Sequence, residues 1–356
     1  MTLEDLGWTA GFAEAFAPHR DAGLEPARVS LEHTHIYRVL TPAGEGLARV
    51  AGRLRHAATR RADFPAVGDW VALESGPAGD EARIRAVLPR ATHFSRRAAG
   101  DPTEEQVVAA NIDVVFLVSG LDHDFNPRRI ERYLVTAWES GAAPVVVLNK
   151  ADLVADPSAF VSEVAAIAPG VPVIAVSAKT PGSLDAVRAQ LTVGRTGALL
   201  GSSGVGKSSI ANGLIGEALL RTHDVRVSDS RGRHTTTGRQ LLVLPGGGIL
   251  IDTPGMRELQ LWDSTEPAAT AFTDIAALAA ACRFRDCRHS SEPGCAVVAA
   301  AGDGTLAPAR LDSYRKLQDE QAYLATQQDE RARIEQKRVG RIGAKALRKR
   351  LKDKGR

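Results

Sequence analysis

Directly after the apolar run Gly197-Ala198-Leu199-Leu200 the chain reads Gly201-Ser202-Ser203-Gly204-Val205-Gly206-Lys207-Ser208-Ser209. Glycines at the first and sixth places let backbone N–H groups turn toward a polyphosphate, and a helix that follows aims its positive end at the same point. Lys207 then reaches the β- and γ-phosphates, and the Ser208 hydroxyl supplies a ligand for magnesium. Such a loop needs a strand before it and a helix after it, so this part of the chain must fold as α/β layers. The alternative, a glycine-rich turn without a ligand, explains neither the apolar run before it nor the helical pattern after it.

The neighbouring sequence supports those layers. Asp113 to Ser119 (DVVFLVS), Pro144 to Lys150 (PVVVLNK), Pro172 to Ala178 (PVIAVSA), Gly197 to Ser203 (GALLGSS) and Gly247 to Thr253 (GGILIDT) are short runs rich in β-branched residues. Helical segments, Pro127 to Ser140 and Ala159 to Ile167, separate several of them. Apolar strands between helices predict a parallel sheet covered on both faces. Upstream, HIYRVL (His35 to Leu40), GLARVAG (Gly46 to Gly52), GDWVALE (Gly68 to Glu74) and ARIRAVL (Ala82 to Leu88) alternate with turn residues. That spacing predicts a small all-β barrel or sandwich, and a barrel of this size fits the oligonucleotide-binding class. Leu3, Leu6 and Phe12 fit one side of a short N-terminal helix. From about Pro267 the chain reads as helical around a cysteine cluster, with Leu311, Tyr314, Leu317 and Leu324 as a core-facing stripe. The expected division is a multi-domain chain: an N-terminal extension over 1–28, the barrel over 29–98, the α/β domain over 99–266, a helical metal-binding region over 267–330 and a basic tail over 331–356.

The base is read elsewhere. Asn149-Lys150-Ala151-Asp152 ends the run PVVVL, and a carboxylate at Asp152 can accept from both N1–H and the 2-amino group of guanine. Adenine lacks that donor pair, so a site built this way rejects ATP. Asn149 is expected to bond the base edge and the neighbouring loop. Ser177-Ala178-Lys179, also just past a strand, frames the base from the other side. Asp252-Thr253-Pro254-Gly255 follows GGILI; Asp252 holds magnesium through water and the Gly255 N–H senses the γ-phosphate. Between them the polar segment Arg231 to Arg239 (RGRHTTTGR) has the character of a switch loop. One of Thr235, Thr236 and Thr237 completes the magnesium shell, with Thr236 taken as the candidate. The order is unusual, because the base-reading motifs precede the phosphate loop. A GTPase sheet with circularly permuted connectivity accommodates it.

All three cysteines, Cys282, Cys287 and Cys295, lie within fourteen residues. An odd number so closely spaced is a poor disulfide framework. With His289 they form Cys-x4-Cys-x-His-x5-Cys, three sulfurs and one nitrogen with no open position, which suits one structural zinc ion. Charge is as unevenly placed. From Arg331 to Arg356 twelve Lys or Arg face two acids, a net +10, so the whole chain's +3 leaves −7 for the rest. A basic tail on an acidic body points to a polyanion such as RNA. No apolar run reaches about 18 residues and the N-terminus lacks signal-peptide character, so a cytoplasmic protein without a membrane association is expected.

The chain resembles the bacterial small-subunit ribosome biogenesis GTPases, the RsgA family. The likeness rests on DFNPRRIERYL (Asp124 to Leu134), VLNKADL, GSSGVGKSS, GRHTTT, DTPGMRE and the cysteine cluster, and it runs from about Val29 to Arg315. VGDWV (Val67 to Val71) and the later RAVLPRATHFSRR resemble the family's N-terminal oligonucleotide-binding barrel. The resemblance implies GTP hydrolysis stimulated by the small ribosomal subunit late in its maturation, contact with its rRNA, and release of assembly factors coupled to the nucleotide, by a protein expected to act as a monomer. Met256 stands where many GTPases carry a water-orienting glutamine and cannot take that role. His234, which matches the family's histidine, is the candidate catalytic residue, since a neutral imidazole can bond the attacking water. Two other readings stay open: an RNA-binding structural protein holding GTP as a static ligand, and a P-loop ATPase or kinase. The flexible threonine segment counts against the first, and Asn149 with Asp152 against the second.

Overall fold

The computed structural model describes residues 1–33, 36–76, 81–98, 101–216, 239–252, 272–290, 292–319 and 322. The chain forms two compact units, Met1–Gln260 and Leu261–Arg356. His234, Thr235, Thr236, Thr237, Gly255, Met256, Leu324 and the basic tail lie outside the described residues.

Five strands of the first unit close a barrel: β1 (Glu25–His33), β2 (Ile36–Thr41), β3 (Gly44–Val50), β4 (Trp70–Glu74) and β5 (Ala82–Val87). They run in the order β1-β2-β3-β5-β4, and β1 pairs back onto β4 from Glu25↔Leu73 to Arg28↔Trp70. The pairing of β1 with β2 slips between Val29 and Leu31, a bulge that bends the strand away from the barrel. Past the bulge β1 pairs with a strand of the α/β sheet at Leu31↔Gln240, so one strand serves both sheets. The barrel interior is Ala27, Val29, Tyr37, Val39, Ala48, Val50, Val71, Leu73 and Ile84. Leu3, Leu6 and Phe12 do meet in one apolar cluster with Trp70 and Leu88, but not on a single helix. A 3-10 turn carries Leu6, Gly7 breaks the chain at φ 84°, and α1 (Ala10–Asp21) carries Phe12.

Arg28 holds these parts together. Its guanidinium is buried and donates to Gly68 O (3.2 Å), Leu6 O (2.5 Å) and Asn111 O (2.9 Å), which belong to the segment before β4, the N-terminal turn and the chain leading into the α/β sheet. It also lies 5.8 Å from the Trp70 ring centroid. Burial lowers its pKa to about 10, against the raising fields of Asp113 and Asp69, so it stays charged at neutral pH.

After the short helix α2 (Gly52–Ala57) and the barrel's last strands comes a separate hairpin, β6 (His93–Ala98) and β7 (Asp101–Ala110). Then the α/β sheet is laid down: β8 (Val114–Gly120), α3 (Pro127–Ser140), β9 (Ala143–Asn149), α4 (Ser158–Ile167), β10 (Val173–Ala175), α5 (Asp185–Arg188), β11 (Thr196–Leu200), α6 (Lys207–Ile215), β12 (Gln240–Val243) and β13 (Ile249–Asp252). The spatial order is β10-β9-β8-β11-β13-β12, parallel except for β12. Counted from β11 as the first strand, that is 6-5-4-1-3-2, a doubly wound order entered at its fourth strand. Both faces are covered, as the apolar runs require. Val115, Leu117, Val146 and Leu148 pack with Ile130 and Leu134 of α3 on one side. Phe116, Val118, Val145 and Val147 pack with Ile210 and Leu214 of α6 on the other.

In the second unit α7 (Thr273–Ala279) and α8 (Ala296–Gly302) flank the cysteine cluster, and a helical segment follows over 308–319. Leu311 and Leu317 of the expected stripe are buried there. Arg310 pairs with Asp274 and stacks 4.8 Å over the Phe272 ring.

Replacing Arg28 with Met should lower stability by about 2–5 kcal/mol, because Leu6 O and Asn111 O are left buried without that donor. Urea unfolding followed by tryptophan fluorescence reads this directly, since Trp8 and Trp70 stack edge-on at 4.6 Å in that core.

Candidate nucleotide site and metal centre

The carboxyl ends of β8, β9, β10 and β11 form one edge, and the sheet's connections diverge between β8 and β11. Doubly wound sheets bind ligands at such a point. The loop from Gly201 to Gly206 rises there from β11 into α6. Gly201 approaches the chain so closely that a Cβ would stand 2.3 Å from Val118 O. Gly206 has φ +95°, and a Cβ there would meet Asn149 Nδ2 at 2.2 Å. Ser203, Gly204, Ser208 and Ser209 are exposed, whereas Val205 is buried under the loop. Lys207 Nζ donates to Gly201 O and Ser202 O, both at 2.6 Å, inside the loop's own turn.

Asn149 ends β9, and its carboxamide is almost wholly buried. Nδ2 donates to Val205 O at 2.8 Å, and Oδ1 accepts from the Ala178 N–H at 3.0 Å. One side chain thus ties the phosphate-type loop to the Ser177-Ala178-Lys179 turn. Lys150 follows with φ +64° and pairs with Asp122. The Ala151 N–H donates to Val176 O (3.0 Å), which sets the turn that presents Asp152 to solvent. A hydrogen bond from Ser177 holds the Asp152 carboxyl below its usual range, so it is ionised at neutral pH and can accept two N–H donors. Ser177 is itself placed by its N–H to Ser183 Oγ (2.8 Å), and the Lys179 N–H donates to Ser177 Oγ (3.4 Å). The structure therefore brings Asn149–Asp152, Ser177–Lys179 and Gly201–Ser209 to one edge, and Asp252 closes β13 beside β11.

Sequence reasoning gave no role to Asp122, Asp124 and Arg129, which stand at the same edge. Asp124 and Arg129 both bond Ser202. Residues 129 and 202 are 73 positions apart, and no local signature announces that contact.

In the second unit the four expected ligands converge, their donor atoms all within 4.8 Å of one another. Cys282 Sγ lies 3.6 Å from His289 Nδ1 and 3.9 Å from Cys295 Sγ, and Cys295 Sγ lies 3.5 Å from His289 Nδ1. A tetrahedron with Zn–S of about 2.3 Å and Zn–N of about 2.0–2.1 Å has edges of about 3.5–3.8 Å. A disulfide needs about 2.05 Å between sulfurs. The set is compatible with one zinc ion. His289 has φ 57°, and Arg315 Nε donates to its carbonyl (2.7 Å), which anchors the backbone turn that carries the ring. Burial lowers the His289 pKa, which favours the neutral imidazole that a metal ligand must be. Burial alone would raise the Cys282 thiol, but the N–H groups of Val297 and Ala296 outweigh it and favour the thiolate.

The fold and this edge define a phosphate-loop GTPase of circularly permuted order. The sequence model of the RsgA GTPase family matches residues 87–262. The small ribosomal subunit biogenesis GTPase RsgA of Opitutus terrae is 52% identical over 341 residues, 92% of each chain. Its namesake in Streptomyces coelicolor is 46% identical over 352 residues, covering 97% of this chain and 94% of the relative. Among solved structures, YjeQ from Thermotoga maritima superposes with a TM-score of 0.64 at 28% identity, over 84% of this chain and 99% of that one. YloQ, a circularly permuted GTPase, gives 0.61 at 25% identity over 84% and 95%. The chain belongs to the RsgA GTPase family.

Two measurements check these sites. Gly206→Ala should abolish guanine nucleotide binding, seen as loss of a fluorescent GDP signal, because the new methyl collides with Asn149. Metal analysis of the purified chain should find one zinc per molecule, and Cys295→Ser should lose most of it.

Proposed function

We propose that this GTPase acts in late maturation of the small ribosomal subunit, where it binds rRNA and hydrolyses GTP in response to the subunit, timing the release of assembly factors and of itself. The observation that supports this most is the Asn149 carboxamide, which joins a base-reading turn to a phosphate loop at one sheet edge. The names carried by its relatives supply the biological setting.

In this reading Asp152 accepts from guanine N1–H and the 2-amino group, while Ser177, Ala178 and Lys179 cover the base's other side. The N–H groups from Ser202 to Ser209 surround the phosphates, and Lys207 leaves Gly201 O and Ser202 O to bind them. Magnesium would be held by Ser208, exposed on the first turn of α6, with Asp252 and Thr236; hard oxygen donors of this kind suit it. It would neutralise charge on the β- and γ-phosphates. Gly255 reads the γ-phosphate, and His234 orients the attacking water. Hydrolysis rests on positioning and charge, so turnover by the free protein is slow and rises when the subunit completes the site.

The five-stranded barrel, whose strands run from Glu25 to Val87 and so start before the expected 29–98, serves as an oligonucleotide-binding domain, followed by the GTPase domain over 99–266, the zinc-stapled region over 267–330 and an RNA-contacting basic tail over 331–356. The zinc ion is structural, because four protein donors leave no open position. No helix among the described residues is long and apolar enough to cross a membrane. The protein works as a cytoplasmic monomer.

GTP and ATP turnover, each measured with and without purified small subunits, tests the reading. GTP hydrolysis should rise strongly with subunits while ATP is ignored. Asp152→Asn should cost about a hundredfold or more in GTP-over-ATP preference. Equal use of both nucleotides by the unsubstituted chain would refute the base assignment, and indifference to the subunit would refute the ribosomal role.

A further inference from the structure

The segment between β8 and α3 touches both halves of the nucleotide edge. Asp122 binds Lys150, the residue whose left-handed backbone turns the chain from Asn149 to Asp152. The Asp124 N–H donates to Asp122 Oδ1 at 3.1 Å. Arg129 Nη1 donates to both carboxylate oxygens of Asp124 at 2.9 Å and to Ser202 Oγ at 2.5 Å. Ser202 Oγ in turn donates to Asp124 Oδ2 at 2.9 Å. The hydroxyl's only proton and one of its lone pairs are thereby committed, and its orientation is fixed.

These contacts do not serve the start of α3. Asn126 already caps that helix through the Arg129 N–H, with Pro127 in its first turn. Nor do they add much stability, because Arg129 and Asp124 are each about one-third exposed, at 31% and 32%, and such pairs contribute little. What they do is hold Ser202 from behind. In front, Lys207 Nζ holds the carbonyls of Gly201 and Ser202. Lys207 must give up those carbonyls to reach a phosphate. The loop then loses two internal anchors at the moment when its N–H groups must stay aimed.

We propose that Asp124 and Arg129 are positioning residues for GTP hydrolysis: they clamp Ser202 so that the phosphate loop keeps its shape when Lys207 moves to the phosphates. Through Asp122 and Lys150 the same clamp links the phosphate loop to the base-reading turn. The guanidinium is neutralised by Asp124, so it steadies the loop without placing a net positive charge behind it. This inference rests on the nucleotide-site reading given above, and it names residues that reading does not use.

The test is steady-state GTP hydrolysis by the full chain with small subunits, comparing Arg129→Gln, Arg129→Lys, Ser202→Ala and the double variant Arg129→Gln with Ser202→Ala. Arg129→Gln should lower kcat about tenfold to a hundredfold, as expected when a reacting group is slightly misplaced. KM should change less, and the melting temperature should stay within about 2 °C of the unsubstituted chain. Arg129→Lys should recover part of kcat, and the double variant should be no worse than Arg129→Gln alone, since both remove one interaction. An unchanged kcat in Arg129→Gln would overturn the clamp, as would single effects that simply multiply in the double variant. The unsubstituted chain separates the two levels: if it hydrolyses GTP and ignores ATP while Arg129→Gln matches it, the clamp fails and the site reading stands. If the unsubstituted chain shows no preference for GTP, the site reading itself fails.

Discussion

The side chain of Asn149 has no freedom left, and the nucleotide edge depends on that. Its amide donates to Val205 O inside the phosphate loop, and its carbonyl accepts from the Ala178 N–H. Gly206 leaves room for it where any Cβ would collide. A buried carboxamide satisfied on both sides costs little to bury, while a partly satisfied one is expensive, so this bridge is held in one geometry. Three segments distant in sequence are thereby locked at hydrogen-bond distances before any nucleotide arrives. Preorganisation of this kind is what transfer of a phosphoryl group requires, since the protein contributes position and charge rather than covalent chemistry.

A second constraint lies deeper. Strand β1 closes the barrel against β4 with its first residues and joins the α/β sheet at Leu31↔Gln240 with its last. Arg28, just before the bulge, ties the N-terminal turn and the chain at Asn111 to the same point. Barrel and GTPase sheet are therefore one compact unit rather than two beads on a linker. Anything that displaces β1 in the barrel acts on β12 without a flexible joint between them, and β12 directly follows the segment Arg231 to Arg239 in the chain.

Much of this was legible in the sequence, for physical reasons that differ between elements. Parallel strands buried on both faces must be apolar throughout, so Asp113 to Ser119 and Pro144 to Lys150 announce β8 and β9 nearly to the residue. Pro127 after Asn126 marks the start of α3, and Gly141 its end. The four zinc-type ligands lie within fourteen residues, so local spacing alone groups them. Strand β12 escaped because four residues with no alternation give no period to read. The shared strand β1 escaped because a bulge, and pairing to residues more than two hundred positions away, leave no local trace. The contact between Ser202 and Arg129 escaped for the same reason. A serine inside a phosphate loop explains itself by the loop, and an arginine on a helix surface explains itself as solvated.

The permuted order changes where the chain leads after β13. In the sheet β13 is hydrogen-bonded on one side to β11, which carries the phosphate loop, and on the other to β12. That strand is thus held on both sides up to its end at Asp252. Only eight residues separate Asp252 from the second unit, which begins at Leu261. In an unpermuted arrangement the same stretch would return into the sheet. Here the chain instead runs on to a region whose short elements meet at three sulfurs and an imidazole. A metal ion held there would supply folding energy that such short elements lack. A zinc ion bound by all four donors would make those short elements one stiff body.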